Sequence, residues 1–253
     1  MIEFDHVSFS YGQNGVLKDL SFSIGFEERV AILGGSGEGK TTILKVILGL
    51  IRPDAGRVII DGEDITDLNE DGLRQSRMNF SMVFQEGALF DSLTVKENVA
   101  FCLREYECLS EEEIDARVRH ILRTVGVESA IDLMPEELSG GMHRRVALAR
   151  SLAACDPEMF LYDEPTAGLD PINADNICRL IVSLSHEGTG FIVVTHKVID
   201  ALKLAKRFMF LKNGVLSFDG NREGLIASAD PDIRHFISEL QYGTDAKGAE
   251  IQS

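Results

Sequence analysis

A glycine-rich segment near the N-terminus carries the residue types that bind phosphate groups. The segment GGSGEGKTT, residues 34–42, fits the spacing G-x-x-x-x-G-K-[ST] at Gly34, Gly39, Lys40 and Thr41. Glycines let consecutive backbone N–H groups turn inward around phosphates, and a following helix adds the partial positive charge of its N-terminus. Lys40 then reaches the terminal phosphates, and Thr41 offers a hydroxyl to Mg²⁺. The residues predicted to bind nucleotide are Gly34, Gly35, Ser36, Gly37, Glu38, Gly39, Lys40, Thr41 and Thr42.

The alternative to a phosphate site is a glycine-rich turn that merely joins a strand to a helix. It is disfavoured because all four fixed positions are present between a predicted buried strand, Val30 to Leu33, and a predicted helix.

An acidic pair ends a later apolar segment, FLYDEP. Asp163 lies at the end of a predicted strand, where its carboxylate can hold the hydration shell of Mg²⁺. Glu164 follows at once and points to the opposite face of the strand end, so it can polarise an attacking water. A phosphate loop alone is compatible with kinases, GTPases, motors and transporter ATPases. The acidic pair, in an α/β frame, strengthens the prediction of a Mg²⁺-dependent hydrolytic site.

A second small-residue motif opens the segment LSGGMHRRVALAR, residues 138–150. Ser139, Gly140 and Gly141 precede a basic, helix-forming stretch, which is typical of an anion-binding helix start. The segment itself does not identify the anion.

The surrounding elements predict an α/β fold. The first 35 residues read as strands, and residues 79–85 read as a further strand. After residue 158 strands and helices alternate, with a helix over residues 198–207 and two strands joined at Asn213-Gly214. This alternation implies a mainly parallel sheet with helices on both sides. Residues 86–157 are dominated by helical signals, including capping boxes at Thr94 with Glu97 and at Ser110 with Glu113. After the second box, one apolar face of a helix is predicted at Ile114, Val118, Ile121, Leu122 and Val125. The predicted organisation is a discontinuous core of residues 1–85 and 158–230, a helical subdomain of residues 86–157, and a C-terminal helix and tail of residues 231–253.

Composition excludes several classes of function. The chain has 253 residues, a formal net charge of −16 and 44% apolar residues, so it can bury a sizeable core but is a poor ligand for nucleic acid phosphates. No signal peptide and no run of about 18 apolar residues is present, so we expect any membrane role to depend on a partner. The four cysteines form no C-x-x-C pair, and reduced thiols are predicted at Cys102, Cys108, Cys155 and Cys178.

Taken together, these motifs resemble the ATP-binding-cassette (ABC) ATPase family over nearly the whole chain. Segment 34–42 matches the family's Walker A motif, FLYDEP its Walker B motif and LSGGM its signature motif. Four single residues complete the resemblance: Gln85 at the Q-loop, Asp170 of GLDP at the D-loop, His196 after FIVVT at the switch histidine, and Tyr11 of SFSYG at the aromatic that stacks on adenine.

Each of these single residues also has a structural alternative. Tyr11 could pack within the β layer, Gln85 could simply terminate a strand, and Asp170 could only form the turn before the following proline. A lone histidine is often a satisfied polar residue. His196 ends a buried strand where the γ-phosphate should lie, which favours a functional role.

The resemblance implies an α/β P-loop NTPase cassette with a RecA-like core, an N-terminal antiparallel β layer and an inserted helical subdomain. It implies ATP and Mg²⁺ as cofactors, with Thr41, Gln85 and Asp163 at the metal. It also implies in-line attack of water on the γ-phosphorus, with Glu164, His196 and Gln85 as the catalytic residues.

A second copy of the chain is implied as well. In this family two cassettes pair head to tail, and each signature motif faces the P-loop of the other cassette. Ser139, Gly140, Gly141 and Asp170 of one copy would then complete the ATP site of the other, forming a homodimer with nucleotide between the copies.

Local details resemble the Mla/Mce lipid-transport ATPases within this family. They are GALF after the Q-loop, Met142 where glutamine is usual, and the C-terminal stretch DPDIRHFISE. This subgroup implies ATP-driven phospholipid transport between inner and outer membranes, with separate permease and Mce-domain subunits, at the cytoplasmic face of the inner membrane. The leading LS of the signature is the general family form and is variable in the subgroup.

Three alternatives to lipid transport stay open. One is the ATPase subunit of a polar amino-acid or other solute importer. Another is a non-transport cassette protein in DNA repair or translation, which the absence of a tandem second cassette and of a basic bias disfavours. A silent regulatory subunit is disfavoured because Glu164, His196 and Gln85 are all present.

Overall fold

The structure is a computed structural model that describes residues 1–106, 109–153, 157–185 and 189–238. Within these ranges the chain forms two β-sheets with helices packed around them. Cys102 and Cys178 are free thiols. Cys108, Cys155 and the polar tail predicted after the C-terminal helix lie outside the described residues.

Strands and helices alternate along most of the described chain. The strands are β1 (Ile2–Tyr11), β2 (Asn14–Ile24), β3 (Arg29–Leu33), β4 (Ala55–Ile60), β5 (Glu63–Asp64), β6 (Phe80–Val83), β7 (Met159–Asp163), β8 (Gly190–Thr195), β9 (Arg207–Lys212) and β10 (Val215–Asn221). The α-helices are α1 (Lys40–Ile47), α2 (Glu70–Arg77), α3 (Val95–Tyr106), α4 (Glu111–Thr124), α5 (Gly140–Leu152), α6 (Pro171–Leu184), α7 (Val198–Leu204), α8 (Arg222–Ile226) and α9 (Pro231–Ile237).

The larger sheet has the strand order β10-β9-β3-β8-β7-β6, and only the β10–β9 pair is antiparallel. The smaller sheet is antiparallel throughout, in the order β2-β1-β4-β5. The predicted α/β class, with a mainly parallel sheet and an N-terminal antiparallel layer, is confirmed. Because parallel strands end at the same edge, the loops after β3, β8, β7 and β6 lie side by side in that order.

Successive side chains of the central strands enter two different cores. In β3, Val30 and Ile32 pack with the antiparallel sheet and α1, whereas Ala31 and Leu33 pack with the helices on the opposite face. A strand that is covered on both faces reads as a continuous apolar run, because neither face needs polar residues. This explains why β3, β7 and β8 are apolar at nearly every position.

Between β6 and β7 the described residues form helices and turns only. Both predicted capping boxes are present, with the carboxylates of Glu97 and Glu113 accepting from the backbone N–H groups of Thr94 and Ser110, each at 2.8 Å. The predicted apolar face of α4 is buried at all five positions, Ile114, Val118, Ile121, Leu122 and Val125. No helix in the described ranges combines the length and apolarity that a bilayer crossing needs.

Several element boundaries differ from the sequence prediction. The strand predicted over residues 79–85 ends at Val83, because the backbone N–H of Gly87 bonds to the carbonyl of Phe84 and turns the chain away. The helix predicted over residues 198–207 ends at Leu204, because Arg207 pairs in register with Val30 at the sheet. Sheet pairing therefore overrides the local helical periodicity at that point.

Two short helices, α2 and α8, have no counterpart in the sequence prediction. Each begins with an asparagine N-cap, Asn69 or Asn221, whose side chain accepts from a backbone N–H three residues later, at 3.0 and 2.9 Å. The asparagine at each N-cap can be recognised in the sequence, but helices of 8 and 5 residues have too few apolar positions to show a helical period.

Asn98 fixes the loop that leads from Gln85 to α3. It is fully buried, and its Oδ1 accepts from the backbone N–H of Phe90 at 2.8 Å. Its Nδ2 donates toward the carbonyl oxygens of Phe90, Leu93 and Thr94 at 2.9 to 3.1 Å. One amide therefore satisfies the backbone polar groups of a whole buried loop, as the interior requires.

We predict that Asn98→Ala lowers the free energy of unfolding by about 1–3 kcal/mol, because it leaves these loop groups without a partner. Urea denaturation of the full chain measures the change. Asn14→Ala, at an exposed position in the β1–β2 hairpin, serves as the control and is expected to change the value by less than about 0.5 kcal/mol. Equal effects of the two substitutions would contradict the assignment of Asn98.

Candidate active site

The glycine loop joins β3 to α1, and its backbone requires glycine at defined positions. Gly37 and Gly39 have φ values of +82° and +103°, in the left-handed region. A Cβ atom at Gly34 would lie 2.4 Å from the carbonyl oxygen of Leu211, and one at Gly39 would lie 2.9 Å from the side chain of Leu17. The loop thus packs directly against β9 and β2, with no room for side chains at its two ends.

Helix α1 begins with an N-terminus that opens into this loop. Gly39 is its N-cap, and no side chain accepts a hydrogen bond from the first turn. The backbone N–H groups and the partial positive charge of the helix are therefore directed at the space that an anion would fill. Lys40 curls over the same space, and its Nζ donates to the carbonyl oxygens of Gly34 at 2.9 Å and Gly35 at 2.8 Å.

Burial lowers the pKa of Lys40, although the nearby carboxylates of Glu164, Asp163 and Glu38 act in the opposite direction. Lys40 is only 7% exposed, so the loss of hydration outweighs the attraction of the carboxylates. An added phosphate would return negative charge to the ammonium at close range.

Thr41 and Asp163 form an oxygen pair beside the loop. Thr41 Oγ1 donates to Asp163 Oδ1 at 3.0 Å. Burial is the main cause that raises the pKa of Asp163, and the neighbouring charge of Glu164 adds to it. A hydroxyl and a carboxylate at this position fit Mg²⁺, which takes hard oxygen ligands from one or two side chains together with substrate phosphates.

The carboxylate of Glu164 is held from several sides. Its Oε2 accepts from Thr195 Oγ1 at 3.0 Å, and its Oε1 accepts from the backbone N–H of His196 at 3.0 Å. The same Oε1 lies 2.8 Å from Nδ1 of His196 and 3.9 Å from Nζ of Lys40. A fixed carboxylate beside an imidazole and an ammonium can orient a water and accept its proton.

The backbone of Glu164 is also unusual. Its φ is +46°, a left-handed conformation that costs a residue with a Cβ about 1–2 kcal/mol. Its N–H bonds to the carbonyl of Val194 at 2.9 Å, and its carbonyl accepts from the N–H of Ala167 at 3.0 Å. The turn after β7 therefore swings the side chain across to the end of β8.

Tyr11 and Gln85 lie outside this cluster of contacts. Tyr11 is 50% exposed at the end of β1, edge-on to Phe9 with ring centroids 4.8 Å apart, so one face of its ring is open to a ligand. The same β1–β2 hairpin supplies Leu17, which approaches Gly39. Gln85 is exposed two residues after β6, and within the described chain no hydrogen bond joins it to Thr41 or Asp163.

The signature segment begins helix α5. Ser139 is the N-cap, and its Oγ accepts from the N–H of Met142 at 3.3 Å. Ser139 and Gly140 are exposed, whereas Met142 is half-buried against the helical core of its own chain. The side chain of Met142 thus packs inward at the start of α5, whereas Ser139 and Gly140 are accessible to an outside ligand.

Asp170 caps helix α6 and lies near the signature segment. Its Oδ1 accepts from the N–H groups of Ile172 and Asn173, both at 3.0 Å. A Cβ atom at Gly141 would lie 3.4 Å from Oδ1 of Asn173, so the two segments are adjacent. Ile172 is 76% exposed beside them.

Sequence reasoning missed the polar residues that support Glu164. Thr195 bonds to the carboxylate of Glu164, and Thr166, in the loop after β7, forms a buried pair with Asp200 in α7. The available signal was the stretch THKVID, which begins at the last residue of β8 and places the carboxylate of Asp200 in the first turn of α7.

Known proteins resemble this chain in sequence and in structure. The sequence model described as "ABC transporter" matches residues 17–167. The chain is 39% identical over 254 residues to the chloroplastic protein TRIGALACTOSYLDIACYLGLYCEROL 3 of Arabidopsis thaliana, covering 94% of this chain and 73% of that protein. It is 37% identical over 244 residues to the intermembrane phospholipid transport system ATP-binding protein MlaF of Escherichia coli, covering 96% of this chain and 90% of MlaF.

A solved structure has the same fold. It is a dimeric ATP-binding cassette in a post-hydrolysis state, bound to ADP and Pi. Its TM-score to this chain is 0.80 at 34% sequence identity, over 87% of this chain and 98% of that chain.

We predict that Gly34→Ala weakens ATP binding by at least about tenfold, equivalent to about 1.4 kcal/mol. The added Cβ would displace the loop from Leu211 and shift the carbonyl that holds Lys40. Gly62→Ala is the matched control, because Gly62 also has a positive φ, +81°, but has open space around it in the β4–β5 turn. Calorimetric titration with ATP in the cold measures both, and equal affinities would contradict the packing argument.

Proposed function

Because the chain belongs to the ABC transporter family of ATPases, we propose that it powers phospholipid movement between two membranes as the ATP-binding subunit of a transporter. Membership of the family makes it an ATP-hydrolysing cassette with an α/β fold. The observation that supports the lipid cargo is the similarity to MlaF along nearly the whole chain.

In our proposal the triphosphate of ATP lies in the loop of residues 34–42. The backbone N–H groups of Gly35 to Thr42 surround the β- and γ-phosphates, and Lys40 exchanges its carbonyl partners for phosphate oxygens. Tyr11 stacks on adenine through its open ring face. The similar cassette bound to ADP and Pi supports nucleotide at this kind of site.

In our proposal Glu164 activates the water that hydrolyses ATP. Its carboxylate orients a water in line with the γ-phosphorus and accepts a proton as the water attacks, while the bond from the γ-phosphorus to the bridging oxygen breaks and ADP leaves. Lys40 and His196 stabilise the charge that develops on the γ-phosphate, since both lie within 4 Å of the Glu164 carboxylate. We propose that Gln85, in the loop after β6, would respond to the γ-phosphate.

Thr41 and Asp163 would hold Mg²⁺, with Gln85 as a further oxygen donor. When bound, Mg²⁺ neutralises charge on the β- and γ-phosphate oxygens. The protein's part is to keep the Thr41 hydroxyl and the Asp163 carboxylate side by side, and their hydrogen bond does so.

A second copy of the chain completes the site. Dimeric cassettes among the similar structures support pairing of two copies. We propose that Ser139, Gly140 and Gly141 of one copy bind the γ-phosphate held by the other, through an exposed hydroxyl and the start of α5. Asp170 and the exposed Ile172 lie beside these residues and would share the same interface.

The membrane-embedded parts would be separate subunits. We propose integral permease subunits and an Mce-domain lipid-binding protein as partners, with this chain at the cytoplasmic face of the inner membrane. The support is the name and similarity of MlaF, which belongs to an intermembrane phospholipid transport system.

The hydrolytic assignment predicts that Glu164→Gln keeps ATP binding and lowers the turnover number by about 100-fold or more, because the amide cannot accept the proton of water. Steady-state phosphate release and calorimetric ATP binding measure the two properties. Glu112→Gln, on the exposed first turn of α4, is the matched control and should leave both unchanged. Full turnover by Glu164→Gln would exclude Glu164 from the reaction.

The transport assignment predicts that the full chain, purified from detergent-solubilised membranes, recovers an integral membrane permease, an Mce-domain protein and bound phospholipid. Mass spectrometry of the proteins and of extracted lipid is the measurement. Recovery of a permease with a periplasmic solute-binding protein and no phospholipid would replace lipid by a solute importer. Recovery of nucleic-acid-bound partners alone would overturn transport altogether.

A further inference from the structure

We infer that Thr166, Lys197 and Asp200 form a clasp, with the buried pair of Thr166 and Asp200 at its centre, that positions Glu164 and His196 for hydrolysis. None of the three clasp residues is assigned to nucleotide, metal or water, so each would act as a positioning residue. The inference rests on the proposed roles of Glu164 and His196.

The clasp joins two loops that leave different strands. Thr166 lies in the loop after β7, and its Oγ1 donates to Oδ2 of Asp200 in α7 at 2.6 Å. Lys197, which precedes α7, donates from Nζ to the carbonyl oxygen of Thr166 at 2.8 Å. Thr166 is therefore held through both its side chain and its backbone by residues that follow β8.

The clasp lies directly behind the proposed catalytic residues. Thr166 is two residues after Glu164, and Lys197 is the residue after His196. Thr195 adds a second connection, because its Oγ1 donates to Glu164 and accepts from the N–H of Lys197, each at 3.0 Å. Two sets of hydrogen bonds, one through Thr166 and one through Thr195, thus connect the segment of Glu164 to the loop that carries His196.

Burial makes the Thr166–Asp200 pair a strong constraint. Thr166 is 1% exposed and Asp200 is 7% exposed. A carboxylate in such surroundings needs a hydrogen-bond donor, and a hydroxyl that donates to a charged oxygen makes one of the stronger hydrogen bonds in proteins. The loops cannot separate without leaving that carboxylate unpaired.

The backbone of Glu164 explains why such a constraint is needed. A residue with a Cβ persists at positive φ only where the surrounding structure determines it, and such positions are concentrated at functional sites. The turn from Glu164 to Ala167 is closed by one backbone hydrogen bond of 3.0 Å, and Thr166 is inside that turn. The clasp therefore supplies the fixed point that keeps the turn in its left-handed form.

Removing the clasp should slow hydrolysis without weakening nucleotide binding. Thr166→Val keeps the shape of the side chain and removes the donor to Asp200. We expect the turnover number to fall by about tenfold or more, because ångström-scale displacement of a reacting group costs up to about 100-fold. The KM for ATP and the affinity for ADP should change by less than about twofold, since the P-loop is untouched. Thr166→Ser keeps the hydroxyl and should restore turnover to within about twofold of the natural chain.

A double substitution separates positioning from stability. Thr166→Val leaves a buried carboxylate unpaired and should lower the melting temperature. Adding Asp200→Ala removes that carboxylate, so Thr166→Val with Asp200→Ala should melt higher than Thr166→Val alone while its turnover number stays low. Thr124→Val, on α4 far from the site and bonded only to the carbonyl of His120, is the matched control and should retain full turnover.

Steady-state ATP hydrolysis, ADP titration and thermal melting of the full chain, with any co-purifying membrane subunits, test the inference. Turnover by Thr166→Val within twofold of the natural chain would overturn it. Recovery of both the turnover number and the melting temperature in the double variant would also overturn it. Glu164→Gln is measured in parallel. If that variant hydrolyses ATP at the full rate, the proposed hydrolytic role of Glu164 fails. If Glu164→Gln is inactive while Thr166→Val is fully active, only the inference about the clasp fails.

Discussion

Parallel pairing of β3 with β8, and of β8 with β7, is the constraint on which the active site depends. Leu33 pairs with Thr195, and Asp163 pairs with Val194, so three strands end almost level at one edge of the sheet. The phosphate loop, the histidine and the acidic pair leave the sheet at these ends. Residues that are far apart in the chain meet because the sheet places their strands side by side, and each strand is held between two apolar cores.

The charges at this edge favour a ligand over an empty pocket. Burial acts on Lys40 and Asp163 in opposite directions, lowering the pKa of the first and raising the pKa of the second. Buried charges of this kind contribute little net stability, because the loss of hydration offsets their attraction. Phosphate oxygens and a divalent cation would supply each group with an opposite charge at short range. The local cationic character of the loop is thus compatible with an acidic chain of net charge −16.

One arginine connects the helical segment to this edge. Arg144, in the first turns of α5, donates to the carbonyl oxygens of Ala167 at 3.2 Å and Phe84 at 3.5 Å. Ala167 closes the turn that contains Glu164, and Phe84 precedes Gln85. The helix that begins with the signature residues is therefore hydrogen-bonded to the loops after β6 and β7.

The sequence by itself determined the features that depend on near neighbours. The phosphate loop, the capping boxes of α3 and α4, the buried face of α4 and the apolar central strands all follow from residues within a few positions of each other. The β9–β10 hairpin at Asn213-Gly214 follows in the same way, because those two residues adopt the positive φ values that a tight turn needs.

Only the tertiary structure decided the features that depend on distant partners. The conformation of Glu164 and the early end of α7 are examples, because the N–H of Glu164 bonds to Val194 of β8 and Arg207 pairs with Val30 of β3. Thr166 and Asp200 are 34 residues apart in the chain, and the sequence around neither residue indicates that the two are partners. A short-range pattern reports the conformation a segment prefers, but the partner of a buried polar group is set by which strands become neighbours.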